Sequence, residues 1–138
     1  MSRPREVIVV IIIELFFGIL GITTGYTLLS QPTGTSMGLE FVLDYIPFND
    51  LTLLGAWFFS VYGILPAVLA FGLWMRSWWA WNIALILAGI EIIWIVVQFI
   101  LFYQIGFSIW QPIIAGLALL TIYLLYLPRV KSYFRSKS

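Results

Sequence analysis

Cysteine and histidine are both missing from this chain, and charged residues make up only 9% of it. Each absence removes a class of chemistry. Without Cys or His there is no ligand set for structural zinc, an iron–sulfur cluster or His- or Cys-ligated haem, no thiol nucleophile and no Ser/His/Asp relay. No disulfide can form, so cysteine usage says nothing about redox compartment. The formal charge of +1 sets up no field for nucleic acid. The basic residues stand in short flanks rather than in a patch interleaved with aromatics, so nucleic acid is set aside as a partner. No cofactor is expected.

What the chain has in excess is apolar surface, at 62% hydrophobic residues over 138 positions. A domain of this size hides only about two-thirds of the surface its unfolded chain exposes. Lipid is therefore the expected solvent. Apolar stretches of about 20 residues, the length that crosses a ~30 Å hydrocarbon core, occur four times. They cover residues 7–29, 51–74, 79–103 and 109–127. The ends are punctuated by Gln31-Pro32, Pro47, Arg76 and Pro128-Arg129, and Trp78, Trp79, Trp81 and Trp110 stand where headgroups would lie. The expectation is an all-α membrane protein, a single transmembrane domain over residues 1–138 built as an up-down bundle of four spans.

Orientation follows from the basic residues, because all seven fall on one side when the spans alternate. Arg3 and Arg5 precede the first span, Arg76 lies between the second and third, and Arg129, Lys131, Arg135 and Lys137 follow the fourth. By the positive-inside rule that side is cytoplasmic, which places both termini there in a multi-pass plasma-membrane protein. Residues 128–138 read as a basic tail whose Arg129, Lys131, Arg135 and Lys137 meet lipid headgroups. The opposite side receives Glu40, Asp44 and Asp50. The first span is expected to stay in place rather than be cleaved as a signal peptide. Its apolar stretch is long, and no Ala precedes Ala56 to make an A-x-A-like site.

In lipid, helices associate through small residues and hydrogen bonds rather than through hydrophobic burial. Glu14, Gly18, Gly21 and Gly25 follow 4, 3, 4 spacing and share one helical face. In the second span Ala56, Ser60, Gly63, Ala67 and Ala70 do the same, and in the third Ala84, Ala88, Glu91, Ile95 and Gln98. These seams are expected to face inward in a left-handed bundle. Pro66 should bend the second span, since it lacks an N–H and crowds the carbonyl one turn earlier.

In the first loop, Leu39, Val42, Leu43 and Ile46 recur at helical spacing opposite Glu40 and Asp44. A short interfacial helix over residues 37–46 is expected there, apolar face down on the outer surface. Glu40 and Asp44, with Asp50 as a third oxygen donor, are the only metal-ligand candidates, and they lack EF-hand spacing.

Glu14 and Glu91 are the two acids well inside spans, where an ionised side chain costs about 2.5 to 3.5 kcal/mol on the insertion scale. No Lys, Arg or His lies inside any span to offset them. Each is therefore expected as a neutral carboxylic acid that hydrogen-bonds within the bundle. At 1.5 Å per residue Glu14 sits roughly 10 Å in from residue 7 and Glu91 roughly 18 Å in from residue 79, so they do not form one carboxylate pair. The alternative is a proton or cation relay from Glu14 to Glu91 to Gln98.

The motifs Gly72-Leu73-Trp74, Trp79-Ala80-Trp81, Tyr123-Leu124-Leu125, Pro128-Arg129-Val130-Lys131 and Tyr133-Phe134 resemble small uncharacterised four-helix membrane proteins of bacteria and archaea. The resemblance covers about the last seventy residues. It implies a prokaryotic cytoplasmic-membrane protein and transfers no catalytic residue. The functional expectation is a non-catalytic integral membrane subunit or scaffold, packed against lipids and against other membrane proteins or itself. The alternative is a homo-oligomeric channel or carrier for protons or small cations. An intramembrane lipid enzyme is disfavoured, because Glu14 and Glu91 have no neighbouring base, nucleophile or ligand set in sequence.

Overall fold

The computed structural model describes residues 3–32, 49–102 and 110–135. Among them every regular element is helical. The elements are α1 (Arg5–Ser30), α2 (Thr52–Phe59), a π-helical stretch (Ser60–Ile64), α3 (Leu65–Trp74), α4 (Trp78–Phe102), α5 (Trp110–Leu125) and α6 (Pro128–Arg135). Among the described residues three helical runs are long and apolar enough to cross a membrane, Arg5–Ser30, Thr52–Trp74 and Trp78–Ile100, and a fourth is found when α5 and α6, which meet at a 67° bend, are taken together. The expected interfacial helix over residues 37–46, with Glu40 and Asp44, lies outside the described residues, as does Lys137.

The described chain packs as two compact units, Glu14–Val68 and Met1–Ile13 with Leu69–Ser138. In the first of these, α1 from Glu14 onward runs antiparallel to α2 and the π-helical stretch. Glycine makes the contact. A Cβ at Gly21 would overlap the carbonyl carbon and oxygen of Tyr62, and one at Gly25 would stand 2.5 Å from the Phe59 nitrogen. From the other side, a Cβ at Gly63 would stand 2.7 Å from Ile22 Cγ1 and one at Gly55 3.0 Å from Leu28 Cβ. Backbone meets backbone, the close approach that membrane helices use in place of hydrophobic burial.

Pro66 explains why the helix widens here. With no N–H at position 66, the Tyr62 carbonyl loses its α-helical donor. The preceding turn opens so that the Leu65 N–H reaches the Ser60 carbonyl, five residues back. The Tyr62 carbonyl then faces the Gly21 Cα–H, a weak C–H···O donor. The widened turn also corrects the expected seam. Gly55, Tyr62, Gly63 and Pro66 are buried, whereas Ala56 and Ser60 are exposed and Ala67 is half-buried. Ser60 is exposed within this chain. Its Oγ donates back to the Ala56 carbonyl one turn earlier at 2.7 Å, and beyond it the π stretch adds a residue and offsets the face that uniform 3.6 spacing assigns.

The second unit pairs α4 with α5, antiparallel. At one end Trp81 Nε1 donates to the Leu125 carbonyl at 2.8 Å, and towards the other Gln111 Nε2 donates to Gln98 Oε1 at 3.2 Å. Ala80, Trp81, Ala84, Leu87, Ala88, Glu91 and Ile95 form the buried stripe of α4, and Ala118, Thr121, Leu124 and Leu125 that of α5. The early turns of α1 contribute buried Val7, Val10, Ile11 and Ile13.

Residues 128–135 of the basic segment form a helix of their own. α5 stops at Leu125, and α6 begins on Pro128, whose fixed φ and missing N–H suit a first helical turn. Val130, Tyr133 and Phe134 are buried at 3, 1 spacing, while Arg129 and Arg135 are exposed. The helix is amphipathic and docks its apolar face on α4 and α5.

Candidate functional site

Of the sequence candidates, Glu14 and Glu91 are both fully buried, each at 1% exposure. They belong to different units. Glu14 opens the glycine face of α1, and its Oε2 meets no hydrogen-bond partner among the described residues. Glu91 sits on the α4 stripe between the Trp81 and Gln98 bonds. Gln98 is two turns further along and is held by Gln111, whose own Oε1 is buried with no partner among the described residues. Gln111 and Thr121 are polar positions of α5 that the sequence reading passed over. Thr121 returns its hydroxyl to the Leu117 carbonyl at 2.9 Å, which hides its polarity within its own helix. Gly18, Gly21, Gly25 and Gly63 lie in the tight contact of the first unit, and Ala84 and Ala88 in the buried stripe of the second.

Asp50 Oδ1 accepts from the Thr52 N–H at 3.1 Å and so satisfies a donor at the start of α2. Among the described residues no group of three Asp or Glu side chains could hold a metal ion.

The denser polar chemistry lies at one end of the second unit, where the start of α1, the α3–α4 turn and α6 meet. Helix α3 ends in a Schellman-type cap. Ser77 N–H donates to the Gly72 carbonyl at 3.0 Å and Arg76 N–H to the Leu73 carbonyl at 3.1 Å. That cap requires a left-handed residue at position 76, normally glycine, yet Arg76 takes it with φ 60. Its side chain compensates: Nε donates to the Tyr133 carbonyl at 2.6 Å and the guanidinium lies 4.5 Å from the Tyr133 ring centre.

Three further cations are seated on rings in the same region. Arg3 lies 3.9 Å from the Trp74 ring centre and donates to the Trp74 carbonyl at 2.9 Å. Lys131 Nζ lies 4.6 Å from Tyr126, and the Arg135 guanidinium 5.4 Å from Trp78. Those two rings are linked through Trp81, stacked on Trp78 at 4.6 Å and edge-on to Tyr126 at 5.7 Å. Arg129 pairs with Glu6 at 2.7 Å. Sequence alone marks these tryptophans as boundary residues, but the ladder depends on α6 folding back, and a reading of residues 128–138 by charge alone misses it.

No family model, curated protein or solved structure matches this chain.

Proposed function

We propose that this chain is a four-span helical protein of the cytoplasmic membrane, with both termini cytoplasmic, that works as a non-catalytic subunit packed against other membrane proteins. The observation that carries the reading is a contrast among its glycines. At Gly18, Gly21, Gly25, Gly55, Gly63 and Gly72 an added Cβ would meet neighbouring atoms within 3.2 Å, so the chain itself fills those positions. At Gly89 and Gly116 a Cβ would meet nothing within 4 Å. A glycine inside an apolar helix weakens it by about 1 kcal/mol relative to Ala. Small residues on an outward face are what a neighbouring helix uses for close approach.

The test is recovery of a native complex. A tagged chain extracted gently from its own membranes should bring down a stoichiometric membrane partner, identified by mass spectrometry. Gly116→Ile should reduce that recovery while leaving the melting of the isolated chain unchanged. A chain that always runs alone, or a partner recovered equally with Gly116→Ile, overturns the reading.

A second reading, a homo-oligomeric path for protons or small cations through Glu14, Glu91 and Gln98, is favoured by the burial of both carboxyl groups and by the Gln98–Gln111 bond on the Glu91 side of α4. Flux into liposomes that Glu91→Gln abolishes would promote it above the subunit reading. Absence of flux across pH and cation type would end it.

A further inference from the structure

Helix α4 carries a second regular stripe besides its buried one. Asn82, Ile86, Gly89, Ile93 and Val96 follow 4, 3, 4, 3 spacing, about half a turn round the helix from Ala84, Ala88, Glu91 and Ile95. The chain leaves this stripe uncovered. Ile86 is 61%, Ile93 64% and Val96 50% exposed, and a Cβ at Gly89 would meet nothing within 4 Å.

A lipid tail coats isoleucine as well as a helix does, but it serves neither of the other two residues. Gly89 stands beside the midpoint of the 25-residue helix, where two helices inclined at about 20° come closest. Its missing side chain is what lets a neighbouring backbone approach there. Asn82 is the one asparagine inside an apolar helix. Its Nδ2 donates to the Trp78 carbonyl at 3.0 Å, while its Oδ1 receives no hydrogen bond among the described residues. The remaining positions are all β-branched, with stiff side chains that lose little rotamer freedom on packing.

We propose that this stripe of α4 packs against the same stripe of a second copy, making a parallel, two-fold-symmetric dimer of the chain. The proposal rests on the membrane-spanning part of the proposed function and adds a second copy as a partner. Self-complementarity selects that occupant. Copies inserted in one orientation have parallel α4 helices, so about a two-fold axis along the membrane normal each position meets its own counterpart. Gly89 faces Gly89 at the crossing, the isoleucines pack on either side of it, and the Asn82 amide, donor and acceptor in one group, faces an amide. No charge opposes closure, because Glu91 is buried on the other side of α4.

The absence of cysteine makes the test clean. Single cysteines are placed in the full-length chain at Ile86 or Ile93, and at Ile19 or Leu119 as exposed positions off the stripe. Membranes at high lipid-to-protein ratio are then oxidised with copper phenanthroline. A disulfide forms only where two Cα atoms come within about 7 Å. Ile86→Cys and Ile93→Cys should cross-link into dimers while Ile19→Cys and Leu119→Cys stay at background. Energy transfer between labelled copies in liposomes gives the strength of association. Gly89→Ile should weaken it at least about fivefold, the lower bound for overpacking a tight contact, and Asn82→Ala about threefold, the usual worth of a hydrogen bond between membrane helices. Because Gly89 has open space within its own chain, Gly89→Ile should melt no lower than the parent in detergent. Equal cross-linking on and off the stripe, none at either isoleucine, or association indifferent to Gly89→Ile overturns the proposal. Absence of any other native partner, with the α4 cross-link intact, would strike the subunit reading alone. Release of the chain from membranes without detergent would strike the membrane-spanning reading and this proposal with it.

Discussion

Gly21 gives the sharpest test of how α1 is held. In Gly21→Ala the new methyl would overlap the carbonyl of Tyr62 and stand 2.5 Å from the Gly63 nitrogen, all backbone atoms. No rotamer change relieves that overlap, so the two helices must part by about 1 Å to reach ordinary contact. A gap of 0.5–1 Å forfeits roughly a quarter to a half of each dispersion contact along the seam. Overpacking of this kind typically costs about 1–3 kcal/mol, and a backbone obstacle belongs at the upper end. The better helix propensity of Ala offsets about 1 kcal/mol of it. The net expectation is a loss of roughly 1–2 kcal/mol for Gly21→Ala and more for Gly21→Leu, which should also melt well below Leu20→Ala. Gly116→Ala is the control: with open space around it, it should keep or raise the melting temperature. Thermal melting of all four variants in one detergent, followed by far-ultraviolet circular dichroism, decides the matter. Gly21→Ala melting at or above the parent would refute backbone-to-backbone packing at this seam.

Arg76→Ala and Arg76→Gly both lose the contacts to Tyr133, but only Gly relieves the left-handed backbone; Arg76→Gly should therefore be the more stable of the two by roughly 1 kcal/mol. Equal melting would remove the strain argument. Trp81→Phe strips the donor from the buried Leu125 carbonyl and should destabilise by about 1–3 kcal/mol, with a shift in the tryptophan emission of the remaining ladder. Cysteines placed at Ser2, Ser77 and Ser136 should be labelled only from the cytoplasm and one at Thr35 only from outside. Labelling of Thr35 and Ser77 from the same side would mean the spans are miscounted. Infrared spectra at pH 7 should hold carboxylic C=O absorption that Glu91→Gln diminishes and Glu14→Gln with Glu91→Gln abolishes, and a carboxylate band assigned to Glu91 instead would favour the relay.

The long apolar helices were legible because lipid imposes a crude rule, some 20 apolar residues per crossing, that tolerates almost any detail of packing. Gly18, Gly21 and Gly25 could be picked out because both their size and their spacing are visible in one dimension. Ser60 could not be placed. Its position depends on a π turn created six residues later by Pro66, and a uniform helical period cannot anticipate an added residue. The docking of α6 was hidden for a different reason. Pro128 reads equally as the end of one helix and the beginning of another, and four cations in eleven residues mask the apolar spacing of Val130, Tyr133 and Phe134. The Arg3–Trp74 and Arg76–Tyr133 pairs join residues 71 and 57 positions apart, a separation at which no local pattern exists.

The three residues 75–77 that join α3 to α4 carry a consequence for how the chain can be threaded. Fully extended, a three-residue connection reaches about 10 Å, one-third of a hydrocarbon core. The chain leaving Trp74 has no slack with which to recross a bilayer before Trp78 begins the next helix. If both helices cross a bilayer, then whatever the distribution of charge they must enter and leave by the same face. Inverting one span alone is ruled out by arithmetic of length, and any mutant that reverses the orientation of one must reverse both.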